Sequence, residues 1–145
     1  MDADELPLTG TCDLSTVGRR SGHRRRVEIW YVIVDGRFVV TGTPGARGWL
    51  ANLRERPAAV LHLRDPGRDV AVTAEEVTDE AARRGVAAEA WRLRPWYAEQ
   101  PYSAEDWVAD SPMVTLMPTM ADSPKVTLMP TVSDPRGARA DGVDR

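Results

Sequence analysis

The apolar positions of this chain fall in short runs separated by glycine, proline and acidic residues, which is the pattern of strands joined by turns. Val27 to Val34 reads Val-Glu-Ile-Trp-Tyr-Val-Ile-Val, rich in β-branched and aromatic residues, and predicts a strand. Asp35-Gly36 follows, a hairpin signal because glycine accepts the positive φ that such turns demand. Arg37 to Thr43 is the returning strand, and Thr43 to Gly48 a loop. Gly48 to Arg56 has the spacing of a short helix stopped by Pro57. Ala58 to Arg64 predicts a third strand, Asp65-Pro66-Gly67-Arg68 a turn, and Asp69 to Val77 a fourth strand in which Val70 and Val72 alternate with polar neighbours. Thr78-Asp79-Glu80 predicts a capped helix start, continued by alanines and arginines to about Leu93. Pro95 and Pro101 bracket an aromatic loop, Trp96-Tyr97, and Ser103 caps one more helical turn through Trp107. Residues 1–10 show no periodicity and predict a flexible arm.

The C-terminal region is a tandem repeat. Residues 109–120 are followed at once by residues 121–132, and the two copies differ only at Met113/Lys125 and Met120/Val132. Two copies are too few for a solenoid. The sheet has a use for one of them. The spare, over 119–132, then adds an edge strand, pairs with another subunit or hangs free. The tail over 133–145 has the composition of a disordered segment. Short strands with interspersed helices predict a mainly β (α+β) domain over 11–118, an antiparallel sheet curled into a small barrel with two or three short helices. No strand–helix alternation of the doubly wound kind appears, and no Gly-x-Gly-x-x-Gly follows a strand.

At 145 residues with 42% apolar and 28% charged residues, the chain has the length and composition of one soluble domain. No apolar stretch approaches the roughly 20 residues of a membrane span. The acidic start, Met1-Asp2-Ala3-Asp4-Glu5, lacks the basic flank of a secretory signal, and a cytoplasmic protein is expected. Cys12 is the single cysteine, and His23 and His62 are the only two histidines, so neither a disulfide nor a metal site is expected.

The chemistry concentrates in one turn. Five arginines fall between Arg19 and Arg26, interleaved with Gly18, Ser21 and Gly22. Glycines let backbone N–H groups point at an anion, and guanidinium forks match phosphate geometry. Two other readings stand beside a phosphate cradle: a solvated basic hairpin, and a nucleic-acid contact. The net charge of −3 and the single local cluster count against the last. Trp49 and Asn52, on the predicted short helix, offer an aromatic face and an amide, or simply pack on the barrel. Trp30 and Tyr31 point to opposite faces of their strand. Trp91, Trp96, Tyr97, Tyr102 and Trp107 line an apolar substrate pocket or form core and interface. No Gly-x-Ser-x-Gly and no evident acid–base set is present, which fits an enzyme whose cofactor carries the chemistry.

The run Ser15-Thr16-Val17-Gly18-Arg19-Arg20-Ser21-Gly22-His23-Arg24-Arg25, then Asp35-Gly36, then Trp49-Leu50-Ala51-Asn52-Leu53-Arg54-Glu55-Arg56-Pro57, resembles the deazaflavin (F420)-dependent nitroreductase family of split β-barrel flavin and deazaflavin oxidoreductases. The resemblance spans roughly residues 12–118. It implies a split β-barrel in which Arg20 and Arg25 hold the cofactor phosphate with Ser21 beside them. Thr41, Gly42 and Thr43 would lie along the cofactor, with Trp49 and Asn52 completing its site. Trp30 stands where many relatives place a tyrosine facing the ring and the substrate, and would be the catalytic position. The implied activity is hydride transfer from reduced F420 to an electron-poor small molecule such as a nitro compound, quinone or enone. An FMN-dependent oxidoreductase and a non-catalytic flavin- or deazaflavin-binding module are the alternatives. A homodimer is compatible with the resemblance; a nucleic-acid partner, a membrane span and a metal are not expected.

Overall fold

The computed structural model describes residues 6–64 and 67–119. Six antiparallel strands close a barrel in the order β1-β2-β3-β6-β5-β4. They are β1 (Thr9–Val17), β2 (Arg24–Val34), β3 (Arg37–Thr41), β4 (Ala58–Arg64), β5 (Gly67–Glu76) and β6 (Met113–Pro118). The expected small barrel is therefore what the chain forms, and β1 closes it by pairing with β4 through Asp13↔His62, Leu14↔Leu61 and Ser15↔Val60. The β2–β3 hairpin turns at Asp35 and Gly36, with φ of 52° and 75°, the left-handed backbone that an Asp-Gly pair tolerates.

Alternation along each strand fills the barrel. Cys12 and Leu14, Ile29, Tyr31 and Ile33, Phe38 and Val40, Leu61 and Leu63, Val72, and Val114 and Leu116 point inward as one cluster. Helix α1 (Gly48–Glu55) plugs one end of this core with Trp49, Leu50 and Leu53. Outward-facing Val32, Val39 and Met113 are buried too, under a helical layer that contributes Val86, Ala87, Ala90, Tyr97 and Trp107. Both faces of β2 are thus covered. That explains why Ile29 to Val34 is continuously apolar instead of alternating.

Four helices are present among the described residues, against the two or three expected. Helix α2 (Glu80–Leu93) is capped by Asp79, whose carboxylate accepts from Ala82 N–H. Helix α4 (Ala104–Asp110) starts with a reciprocal capping box between Ser103 and Asp106. The extra element is α3 (Pro95–Ala98), in the segment expected to be an aromatic loop. Pro95 acts as a helix starter, since proline's fixed φ suits the first turn, and Tyr97 anchors the turn in the outer cluster. Strand β1 begins at Thr9, inside the segment expected to be an arm, and pairs with β2 along its whole length.

Strand β6 comes from the first copy of the repeat. It is tied on both sides: Thr41 Oγ1 donates to the Pro112 carbonyl at 2.8 Å, and Arg83 Nη2 to the Ser111 carbonyl at 2.6 Å. Beyond Thr119, the duplicated segment and the tail lie outside the described residues. No helix among the described residues is long and apolar enough to cross a membrane.

Candidate functional site

The turn between β1 and β2 is closed by its own hydrogen bonds. Gly18 N–H donates to the His23 carbonyl at 2.7 Å, and Gly22 N–H to the Gly18 carbonyl at 2.9 Å. Ser21 Oγ accepts from His23 N–H at 3.0 Å and sits where a side chain on Gly18 would be, 2.6 Å from an added Cβ. A side chain at 18 would therefore push the Ser21 hydroxyl out of this position, and with glycine there the hydroxyl keeps its own proton to donate.

Between this turn and α1 lies an open cleft of about 380 Å³, lined by Arg19, Arg20, Ser21, Arg25, Trp49 and Asn52 together with neighbours from β1 and β2. Three guanidinium groups and no carboxylate line it. Several arginines elsewhere are paired with acids: Arg26 and Arg64 with Asp13, Arg54 with Glu76, Arg84 with Glu80 and Glu105, and Arg92 with Glu89, while Arg47, Arg83 and Arg94 donate to carbonyl or hydroxyl oxygens. Among the described residues Arg20 and Arg25 have no acidic partner. Helix α1 begins at Gly48 on the cleft wall with no side-chain cap and no acid in its first turn, so its positive end adds to the field. The cleft wall therefore carries net positive charge.

Arg19 differs from its neighbours. Its main-chain N–H and its Nη1 both donate to Asn52 Oδ1, at 3.1 and 2.9 Å, and Asn52 Nδ2 donates to Thr16 Oγ1 at 3.1 Å. Arg19 and Thr16 were not singled out by sequence reasoning. Their partner lies in α1, more than 30 residues away, and no local spacing signals it.

The expected site residues divide into two groups. Arg20, Ser21, Arg25, Trp49 and Asn52 meet at the cleft. Trp30, Thr41, Gly42 and Thr43 do not line it. Trp30 faces outward, edge-on to Trp96 and Tyr97 with ring centroids at 5.4 and 5.3 Å, and the Arg94 guanidinium lies 4.0 Å above its ring. Thr41 pairs with Trp30 across the hairpin, and its buried hydroxyl is occupied by the Pro112 carbonyl. Gly42 lies against the Arg47 guanidinium, and Thr43 offers its carbonyl to Arg47 Nη2 at 2.8 Å. This β3–α1 connection leads to a second open cavity of about 560 Å³ on the other flank of α1, lined in part by Arg47, Arg54, Arg83 and Ser111.

A Ser-His-Asp chain occurs on the outer barrel face. Ser15 Oγ is 2.7 Å from His62 Nε2, and His62 Nδ1 is 2.8 Å from Asp69 Oδ1. Ser15 is only 4% exposed, and the surrounding backbone is committed to the ladders with β2 and β4. Among the described residues the backbone beside Ser15 is thus not free to hold an oxyanion, and the arrangement reads as structural. Burial, against the pull of Asp69 and aided by Arg26, holds the His62 imidazole below its ordinary value. On acidification the unfolded chain takes up this proton first, near its ordinary pKa of about 6.5. Stability from His62 is thus full above that pH and falls below it, until the folded imidazole also titrates. The denaturant midpoint should drop between about pH 7.5 and 5.5, and His62→Asn should flatten that drop; equal slopes in both proteins would contradict the assignment. The Cys12 thiol, buried in the core, is pushed up to about 12 and is inert at neutral pH. Among the described residues no group of three His, Cys, Asp or Glu side chains could hold a metal.

A family model described as F420H(2)-dependent quinone reductase matches residues 4–104. Among solved structures, an F420 reductase is 22% identical, with 75% of this chain and 86% of that chain covered and a TM-score of 0.54. A protein described as a domain-swapped dimer is 21% identical over 73% of this chain and 78% of that chain, at a TM-score of 0.54. HutZ, the heme storage protein from Vibrio cholerae, is 16% identical over 74% of this chain and 80% of that one, at a TM-score of 0.56. At these identities the likeness establishes the fold. No curated protein matches.

Proposed function

The chain belongs to the F420H2-dependent quinone reductase family, and from that premise we propose that its arginine cleft holds the phosphodiester of F420 while the Trp30–Trp96 face receives a quinone acceptor. F420 is the cofactor of the family, and the coarse activity is that of an F420-dependent oxidoreductase. The observation that carries the reading is the pair of guanidinium groups, Arg20 and Arg25, left without acidic partners at a cleft that contains no carboxylate. A phosphodiester supplies the missing charge and matches the planar guanidinium forks. The Ser21 hydroxyl and the uncapped first turn of α1 add neutral donors to the same cleft.

When bound, the reduced deazaflavin supplies the hydride. The protein's part is to bind, orient and exclude water. Trp96 is 49% exposed and packs edge-on at 80° to the half-buried Trp30, so the aromatic face offered to an electron-poor ring is that of Trp96. Arg94, held by Thr9 Oγ1 at 2.9 Å, keeps guanidinium N–H groups free to donate to an acceptor oxygen as it gains negative charge. Nitro compounds and enones are the competing acceptor classes. Oxidation of F420H2 by a benzoquinone, a nitroaromatic and a cyclic enone, measured side by side, tests the choice: the quinone should turn over fastest. Turnover of none of them by a protein that binds F420 would leave a binding module.

A further inference from the structure

We infer that Asn52 and Arg19 are positioning residues: they latch the β1–β2 turn to α1 so that Arg20 and Ser21 are presented to an anion, and they do not themselves hold it. This rests on the reading of the cleft as a phosphodiester site, and it changes the role expected of Asn52. A carboxamide oxygen has two acceptor sites, and both are taken, by Arg19 N–H at 3.1 Å and Arg19 Nη1 at 2.9 Å. Of the amide hydrogens, one goes to Thr16 Oγ1. Asn52 is 6% exposed, and Thr16 is fully buried, so these bonds replace water that cannot reach them. The Arg19 guanidinium is drawn back over α1, where Nη1 also approaches the Gly48 carbonyl at 3.4 Å. Its Nη1 is thus committed to α1, whereas the Arg20 and Arg25 guanidiniums make no such bond among the described residues.

A latch is needed because the turn is flexible by composition. Gly18 and Gly22 bound it, Gly22 at a φ of +74°, and glycine loses the most conformational freedom on ordering. Two main-chain bonds and the Ser21–His23 bond close the turn on itself but do not fix it relative to the rest of the cleft. The Arg19–Asn52–Thr16 network ties it to α1 and β1 at once. A pre-ordered turn spares the ligand that entropy loss.

Three proteins test this: wild type, Asn52→Leu, which keeps the size and removes every hydrogen bond, and Asn52→Asp, which keeps both acceptor positions for Arg19 and accepts a hydrogen from the Thr16 hydroxyl once it rotates. Amide hydrogen exchange at residues 18–23 is measured without ligand, and F420 affinity by fluorescence. In Asn52→Leu exchange should accelerate across the turn and F420 affinity fall roughly tenfold to a hundredfold. Asn52→Asp should restore both, the affinity to within about fivefold of wild type after the added charge. Loss of affinity in both variants with the turn still protected would make Asn52 a direct ligand and overturn the inference. A loosened turn with unchanged affinity would make the network merely structural, and also overturn it. If wild type fails to bind F420, the functional reading fails by itself, and exchange still judges the latch: protection lost in Asn52→Leu and regained in Asn52→Asp upholds it, and no change refutes it.

Discussion

Replacing both Arg20 and Arg25 by alanine should weaken F420 binding about a thousandfold while leaving the fold almost untouched. Each guanidinium offers a charge-assisted hydrogen bond to the phosphodiester, worth about 1.5–3 kcal/mol, and each 1.4 kcal/mol is a factor of ten. The two side chains are exposed and have no acidic partner among the described residues. Their loss therefore orphans no carboxylate and opens no cavity. Surface changes of that kind stay within about 0.5 kcal/mol. The contrast with Arg54 is the control. Arg54 is held by Glu76 through two bonds of 2.8 and 2.6 Å outside the cleft, so its alanine variant should leave F420 affinity near wild type. Fluorescence titration alongside thermal denaturation reads both quantities. A double variant that binds normally would show that the arginine turn is a solvated basic hairpin, the bland alternative its sequence always allowed.

Met113→Lys should produce the largest loss of stability, at least about 3 kcal/mol out of a typical total of 5–15. Met113 is 0% exposed, on the outer side of β6, packed beneath the helical layer with Val39 and Trp107. Lysine there loses the methionine packing and must either desolvate its ammonium or force the layer open. The substitution is not arbitrary. Lys125 occupies the corresponding position of the second repeat copy, so the variant carries lysine in both copies, and a shift of register by one repeat cannot rescue it. Of the two copies, only the first carries a side chain that fits this slot. Met113→Leu, which nearly conserves volume, should cost less than about 1.5 kcal/mol. Urea denaturation of the three proteins measures the differences. A lysine variant as stable as wild type would mean that the helical layer does not seal this position.

The β2–β3 hairpin was legible because its signals agree: an apolar run dense in β-branched residues, an Asp-Gly turn and a returning strand. Strand β1 was not, because its outward positions, Thr11, Asp13 and Ser15, are polar and only Cys12 and Leu14 mark its inner face. Its place in the sheet is decided by partners on β2 and β4, far away in sequence. Helix α3 was hidden by prolines that read as breakers, although Pro95 serves as a start. At the site, the glycine and arginine spacing was enough to locate the turn, and the family resemblance picked out Arg20, Ser21, Arg25, Trp49 and Asn52, which meet at one cleft. Neither showed that the neighbouring Arg19 is held by α1, because that depends on where Asn52 comes to rest. Nor could periodicity say that Trp30 would settle against α3, or that Ser15, His62 and Asp69 would meet across three strands.

The central claim is that this cleft reads the phosphodiester of the cofactor. The most direct test is to titrate the wild-type protein with F420 and, in parallel, with the deazaflavin chromophore lacking its phosphodiester tail. Tight, salt-sensitive binding of F420 with binding of the tail-less chromophore weaker by about a hundredfold or more is the predicted result. Equal affinity for the two, or binding indifferent to salt, would contradict it and leave the arginine turn without an assigned ligand.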